Sequence, residues 1–145
     1  MTQAARELQA ALSLDGDAVT REGNGAPHLV GSACGDCGKR VFPPTDVCPD
    51  CMSENMRRLA LSRRGTLYSW SVVHAAPRGW TLPFVAGYVD LPEGVRVFAH
   101  IVGGDPKALA FDMTVETTIS VLGNDDEGRA LDGFAFAPVV KEGDA

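Results

Sequence analysis

No stretch of this sequence stays apolar and uncharged long enough for a signal peptide or a membrane span, since even the opening MTQAARELQAALSLDGD carries Arg6 and Glu7 inside its apolar pattern. That absence leads to the expectation of a cytoplasmic protein with no membrane partner. Basic charge is also scarce: thirteen Lys and Arg face nineteen Asp and Glu, for a net charge of −6. Such a field repels the phosphate backbone of nucleic acid. Cysteine is missing everywhere outside residues 34–51, and histidine occurs only at 28, 74 and 100. No Ser-His-Asp spacing or pair of carboxylates stands in a setting that suggests catalysis. There is no internal repeat and no low-complexity tract. What remains, 145 residues with 45% hydrophobic and 22% charged content, suits one domain or two small ones.

The four cysteines, Cys34, Cys37, Cys48 and Cys51, form two Cys-x-x-Cys pairs separated by ten residues. A reducing cytoplasm keeps thiols from pairing as structural disulfides, and a redox site needs one pair at the head of a helix, whereas Gly38 follows the first pair here. A glycine at that place lets the chain turn tightly and aim backbone N–H groups at the sulfurs, as a zinc knuckle does. Four thiolates match the tetrahedral preference of zinc and leave no open position for catalysis; iron in the same cage is the alternative, which the sequence does not separate. Pro43 and Pro44 favour a turn between the two knuckles. A segment this short folds only with help, and a bound zinc contributes on the order of 10 kcal/mol to such small units.

Ahead of the cysteines, Ala5, Leu8 and Leu12 recur at helical spacing with Thr2 as a cap, which predicts an amphipathic helix. It either lies on its own domain or docks on a partner. Residues 15–27, DGDAVTREGNGAP, read as a flexible tether. After the cysteines the pattern alternates. MRRLALS begins a strand, Arg63-Arg64-Gly65 marks a bend or bulge, and TLYSWSVVH places Tyr68, Trp70, Val72 and His74 opposite Leu67, Ser69, Ser71 and Val73. PFVAGYVDL and VRVFAHIVG make a hairpin across Pro92-Glu93-Gly94, with Val95, Val97, Ala99 and Ile101 on one face. DPKALAF starts a helical turn with Pro106 at its first position, and VETTISVL and the stretch from Leu131 to Val139 supply two more strands. The fold class that follows is mainly β: an N-terminal helix and tether (1–27), a zinc ribbon (28–56), and a five-stranded OB-fold barrel (57–145), with an open sandwich as the rival to the barrel.

The succession of the Cys-x-x-Cys-Gly ribbon, GTLYSWSVVH (65–74), PFVAGYVDL (83–91) and EGVRVFAHIVG (93–103) resembles the rubredoxin-like zinc-ribbon plus OB-fold proteins that accompany thiolase-like enzymes of acyl-CoA metabolism. The likeness spans about residues 27–138. Met52 and Asp112 depart from it, each standing where a glycine is usual. The resemblance implies a non-catalytic subunit that packs on a thiolase-superfamily enzyme as a hetero-oligomer and helps bind or shield an acyl-CoA thioester during Claisen-type cleavage or condensation. Related members attach instead to CoA-dependent aldolases or enoyl-CoA hydratases.

A thiolase uses an activated cysteine, and every cysteine here is assigned to metal. The loop HAAPRGWTLPF offers His74, Arg78, Trp80 and Phe84 as contacts for the acyl-CoA or the partner, because barrel mouths are common ligand positions and Arg and Trp are enriched at interface hot spots. The alternative is that Trp80 packs on its own barrel. Arg57, Arg58, Arg63 and Arg64 are candidates for the coenzyme A phosphates, which guanidinium groups bind bidentately, although alternation sends Arg57 and Arg58 to opposite faces. His100 reads as a half-exposed strand residue. A single-stranded nucleic-acid binder is the reading from a different class, opposed by the acidic barrel: residues 65–145 hold five basic and eleven acidic groups.

Overall fold

The computed structural model describes residues 18–22 and 26–139. The expected helix around Ala5, Leu8 and Leu12 lies outside the described residues. Part of the expected tether is a strand instead: β1 (Val19–Glu22) runs antiparallel to the start of β2 (Ala26–Cys34), with Val19 opposite Leu29 and Glu22 opposite Ala26. The glycines suggested flexibility, but Val19 packs on the core beside the fully buried Leu29, and that apolar contact sets the pairing.

Strand β2 is the spine of the ribbon. Its second half pairs with β4 (Met56–Ala60) from Val30↔Ala60 to Cys34↔Met56, and on the other edge Ser32 and Ala33 pair with the short β3 (Arg40–Val41). Gly31 is required there, because a Cβ at that position would sit 2.4 Å from the carbonyl oxygen of Val41. Ser32, fully buried, donates its hydroxyl to the Thr45 carbonyl (3.0 Å) and accepts from the Thr45 amide (2.9 Å) and Arg58 Nη1 (3.1 Å), which fixes the loop that follows Pro43 and Pro44.

Five further strands close a barrel in the order β5-β6-β7-β9-β8: β5 (Arg64–Val73), β6 (Phe84–Asp90), β7 (Arg96–Ile101), β8 (Thr114–Asn124) and β9 (Ala130–Pro138). All neighbours are antiparallel except β7 and β9. This is the connectivity of an OB barrel, with a 3-10 turn (Pro106–Ala108) capped by Asp105 on the way from β7 to β8. The hairpin face expected in β7 is the buried one, Val95, Val97, Ala99 and Ile101 all lying in the core. In β5 the expected two faces are re-sorted by a bulge between Leu67 and Ser69. Leu67 faces Val89 in the core, Ser69 pairs with the exposed Tyr88, and Trp70 pairs with the buried Gly87, so Leu67 and Trp70 share the inner side while Tyr68 points out.

The ribbon and the barrel share one core. Leu29 of β2 is fully buried in the same cluster as Leu67, Val97, Val115 and Phe136. Burial of a leucine on this scale is worth about 2 kcal/mol. Arg63 bridges the same seam, donating Nε to the Pro27 carbonyl (2.8 Å) and Nη2 to the Thr117 carbonyl (3.3 Å) while Nη1 pairs with Glu116 (2.5 Å). At the far side Glu93 accepts from the amide (3.1 Å) and hydroxyl (2.6 Å) of Ser62.

Candidate functional site

The four sulfurs converge. Cys34 Sγ lies 3.6 Å from Cys51 Sγ, Cys37 Sγ lies 3.6 Å from Cys48 Sγ, and all four fall within 4.8 Å of one another. Four sulfurs each about 2.3 Å from a central zinc stand roughly 3.8 Å apart, so the cage has the size the ion needs. Two matching turns build it. Gly38 (φ 80°) donates its amide to the Cys34 carbonyl at 3.0 Å, and Met52 (φ 65°) donates to the Cys48 carbonyl at 2.9 Å. Met52 therefore adopts the left-handed backbone that a glycine would take more cheaply, as does Asp112 (φ 64°) at the other departure from the family pattern. Asp36 ties the two turns together by accepting from the Ser53 hydroxyl and from Asn55 Nδ2, and these bonds hold its carboxyl below the usual range.

The electrostatics of the cage call for a cation. Backbone amides of Cys37 and Asp36 directed at Cys34 Sγ bring its thiol down to about 6. Cys51 receives help from the Ser53 amide, yet the sulfurs of Cys37, Cys34 and Cys48 together with burial push it up to about 12. Four thiolates this close repel, and a dication at their centre removes the conflict. The donor set and spacing thus fit a structural zinc held by Cys34, Cys37, Cys48 and Cys51, closed on all four sides.

At the other end of the molecule, the loop between β5 and β6 is stitched to β8. Asn124 donates its amide to the Gly79 carbonyl (2.7 Å), Thr81 donates to the Leu122 carbonyl (3.0 Å), and Trp80 pairs with Gly123. This aims Trp80 at His100: their rings stack at 5.2 Å and 21°, Phe84 stacks on His100 at 4.3 Å and 26°, and Trp80 and Phe84 lie 6.1 Å apart, so the three rings form one cluster. Of the four loop residues expected to act together, Trp80 and Phe84 meet. His74 is exposed beyond the end of β5, and Arg78 is exposed and pairs with Asp126 at 3.3 Å. His100, read from the sequence as a half-exposed strand residue, is the centre of the cluster; its Nε2 is buried with no hydrogen-bond partner among the described residues, and burial lowers its pKa. Next to it a cavity of about 350 Å³ opens between Val72, Phe84, His100, Ile101, Val121 and Leu122.

The arginines do not gather in one place. Arg63 and Arg64 share Glu116, with Arg64 Nε at 3.5 Å, whereas Arg58 turns to Ser32 and Asp46 and Arg57 is exposed on β4. Sequence reasoning missed a second feature, an outward stripe across three strands: Tyr68, Tyr88 and Phe98 are 48%, 44% and 61% exposed, and the Tyr88 and Phe98 rings meet at 5.0 Å with a 51° tilt. Arg96 lies 3.7 Å over the Tyr68 ring and is held by Asp90 at 2.6 and 3.1 Å. The signal was aromatic residues at the solvent-facing positions of adjacent strands.

Residues 22–57 match the family model for the ChsH2 rubredoxin-like zinc ribbon domain, and residues 59–120 match that for the ChsH2 C-terminal OB-fold domain. A benzoylsuccinyl-CoA thiolase subunit, BbsA, from Thauera aromatica is 37% identical over 114 residues, which cover 79% of this chain and 78% of that protein. A DUF35 domain-containing scaffold protein from Methanocaldococcus jannaschii is 33% identical, over 77% of this chain and 82% of its own. Among solved structures, the Ltp2-ChsH2(DUF35) aldolase superposes with a TM-score of 0.61 at 30% identity, covering 78% of this chain and 86% of that one.

Proposed function

We propose, from the premise that this chain belongs to the DUF35 family of ChsH2-type zinc-ribbon and OB-fold proteins, that it is a non-catalytic subunit of a thiolase-superfamily enzyme. In that role it helps bind or shield an acyl-CoA thioester while the partner carries out Claisen-type cleavage or condensation. The observation that supports this most is the coverage of the thiolase subunit: the alignment takes in 78% of that relative, so the likeness extends across ribbon and barrel together and not over a shared module alone.

The chemistry agrees. Every cysteine of the chain stands in the four-sulfur cage, so the activated thiol of a Claisen enzyme belongs to the partner. The zinc, when bound, supplies structure by neutralising four thiolates; Cys34, Cys37, Cys48 and Cys51 hold it, and the carboxylate of Asp36 braces the turns that present them. Trp80 and Phe84 at the barrel mouth face the acyl end of the thioester in this reading, with His74 and Arg78 at the rim. The exposed Tyr68, Tyr88 and Phe98 are residues of the kind that anchor protein interfaces, and they offer the partner a face on the barrel. Of the four candidate arginines, Arg63 is committed to the seam and Arg58 to Ser32 and Asp46, so Arg57 and the outer, 64% exposed Arg64, which also touches Glu116, are the ones to reach coenzyme A phosphates. A cytoplasmic location accompanies this function.

A partner of the aldolase class is the second reading, favoured by the solved Ltp2-ChsH2(DUF35) aldolase. A nucleic-acid role is disfavoured because Arg96, the cation beside the aromatic stripe, is neutralised by Asp90. Co-purification tests the proposal: affinity-tagged chain expressed in its own cells should bring down, in a fixed ratio, one protein of the thiolase superfamily. Recovery of an aldolase in its place selects the second reading, and recovery of nucleic acid with no enzyme removes both.

A further inference from the structure

The cavity beside His100 has a composition that the zinc cage and the partner face leave unexplained. Its side chains are mostly apolar, from Val72 and Val121 at the rim to Ile101 and Leu122 within, with Thr81 and His100 as the polar ones, and both rim valines are exposed, at 42% and 58%. Exposed valines concentrated at a barrel mouth expect something apolar to cover them. At about 350 Å³ the space is roughly twice the ~150 Å³ cavity known to accept a benzene molecule, enough for a phenyl ring on a short chain or a medium aliphatic chain. One of these polar groups is unpaired. His100 Nε2 is buried against the Trp80 and Phe84 rings without a partner among the described residues, and buried polar atoms left unpaired are rare enough to need a reason. A neutral imidazole can carry its proton on Nε2 and donate it to a carbonyl oxygen.

We propose that this barrel mouth is the pocket for the apolar acyl group of the thioester, and that His100 Nε2 donates to a keto oxygen on that acyl group once the Trp80 and Phe84 rings slide aside. The ligand class is therefore an acyl thioester carrying an apolar tail and a second carbonyl. This deepens the subunit reading and rests on it for the thioester, but it concerns binding to this chain by itself.

The test uses the zinc-loaded full chain and two N-acetylcysteamine thioesters, 3-oxo-5-phenylpentanoyl and its 3-deoxo analogue, followed by calorimetry and by amide and imidazole NMR shifts. Both should bind and shift Val72, Phe84, Val121 and Leu122, with the keto compound roughly fivefold tighter, the worth of one net hydrogen bond. His100→Phe keeps a stacking ring and should erase that fivefold preference while retaining binding. Val121→Trp, at an exposed position, should fill the mouth and weaken both ligands more than tenfold. Equal affinity of the two thioesters for the wild type, or unchanged affinity in Val121→Trp, overturns the assignment. The subunit reading is judged separately by co-purification: a chain that captures its enzyme but ignores both thioesters refutes only the pocket, and one that binds the thioesters but captures no enzyme refutes only the subunit.

Discussion

Stripping the metal should unfold the ribbon and weaken the barrel without destroying it. The ribbon strands are short, β3 having only two residues and β4 five, and without a bound ion no metal–sulfur bonds tie together the four sulfurs that lie within 4.8 Å of one another. Zinc supplies on the order of 10 kcal/mol to units of this size, more than the remaining contacts can replace. When the ribbon opens, the fully buried Leu29 leaves the shared core. Vacating a buried leucine site costs about 3 kcal/mol, and loss of the bond from Arg63 to the Pro27 carbonyl adds about 1 kcal/mol. A total near 4 kcal/mol is less than a typical domain stability of about 5–15 kcal/mol, so the barrel persists, with a melting temperature lower by roughly 20 °C. The assay is removal of zinc with a chelator under reducing conditions, followed by metal quantification, thermal melting and amide NMR. Signals from β2, β3 and β4 should collapse while β6 and β7 remain dispersed, and one equivalent of zinc should restore the melt. A metal-free protein that melts where the loaded one does would show that neither the ribbon nor the shared core depends on the ion.

Four further outcomes follow from particular contacts. Gly123→Ala places a Cβ 2.0 Å from the Gly79 carbonyl oxygen and 3.0 Å from Trp80 Cα, so the loop must leave β8; the loss of two backbone bonds should cost about 2 kcal/mol in chemical denaturation and change the tryptophan emission. Arg63→Met removes two bonds to carbonyls and a half-exposed ion pair at the seam, and should destabilise by about 2 kcal/mol, where an ordinary surface arginine would cost far less. Met52→Gly relieves a left-handed backbone at a residue 72% exposed and should raise stability by about 0.5 kcal/mol; a lower melt would show that the side chain matters to the folded chain. His100 has a pKa lowered by burial, so the unfolded chain binds more protons than the folded one below the ordinary imidazole value of 6.5. Stability should therefore fall as pH drops through that value toward the lower folded pKa, and His100→Phe should flatten that part of the profile; an unchanged slope would remove His100 as its source.

Much of the fold could be read from residue order because its signals are local. Period-two alternation marked β5 to β8, and the Pro92-Glu93-Gly94 turn, with Gly94 at φ 86°, fixed the β6–β7 hairpin. The cysteine spacing and Gly38 gave the cage, which depends on two short turns. What alternation could not give is the bulge at Tyr68, since register belongs to a pair of strands: β6 decides that Leu67 and Trp70 lie on one side. β1 was hidden for the same reason, its partner residues being meaningful only once Leu29 is known to sit in the barrel core. Met52 looked like an irregularity by residue type, yet its backbone copies Gly38, the hydrogen bond from its amide to the Cys48 carbonyl holding it there. The His100 cluster was the hardest to foresee. It joins residues from a loop and two strands, and neither Trp80 nor Phe84 is near His100 in the chain.

Turnover of a 3-oxoacyl-CoA with free CoA separates a subunit from an enzyme when three preparations are compared: the zinc-loaded chain, the thiolase-superfamily protein that co-purifies with it, and the two together. The chain alone should give no cleavage, the isolated enzyme little, and the complex full thiolysis. Cleavage by the chain alone, with an acyl group trapped on one of Cys34, Cys37, Cys48 or Cys51, would contradict the subunit reading.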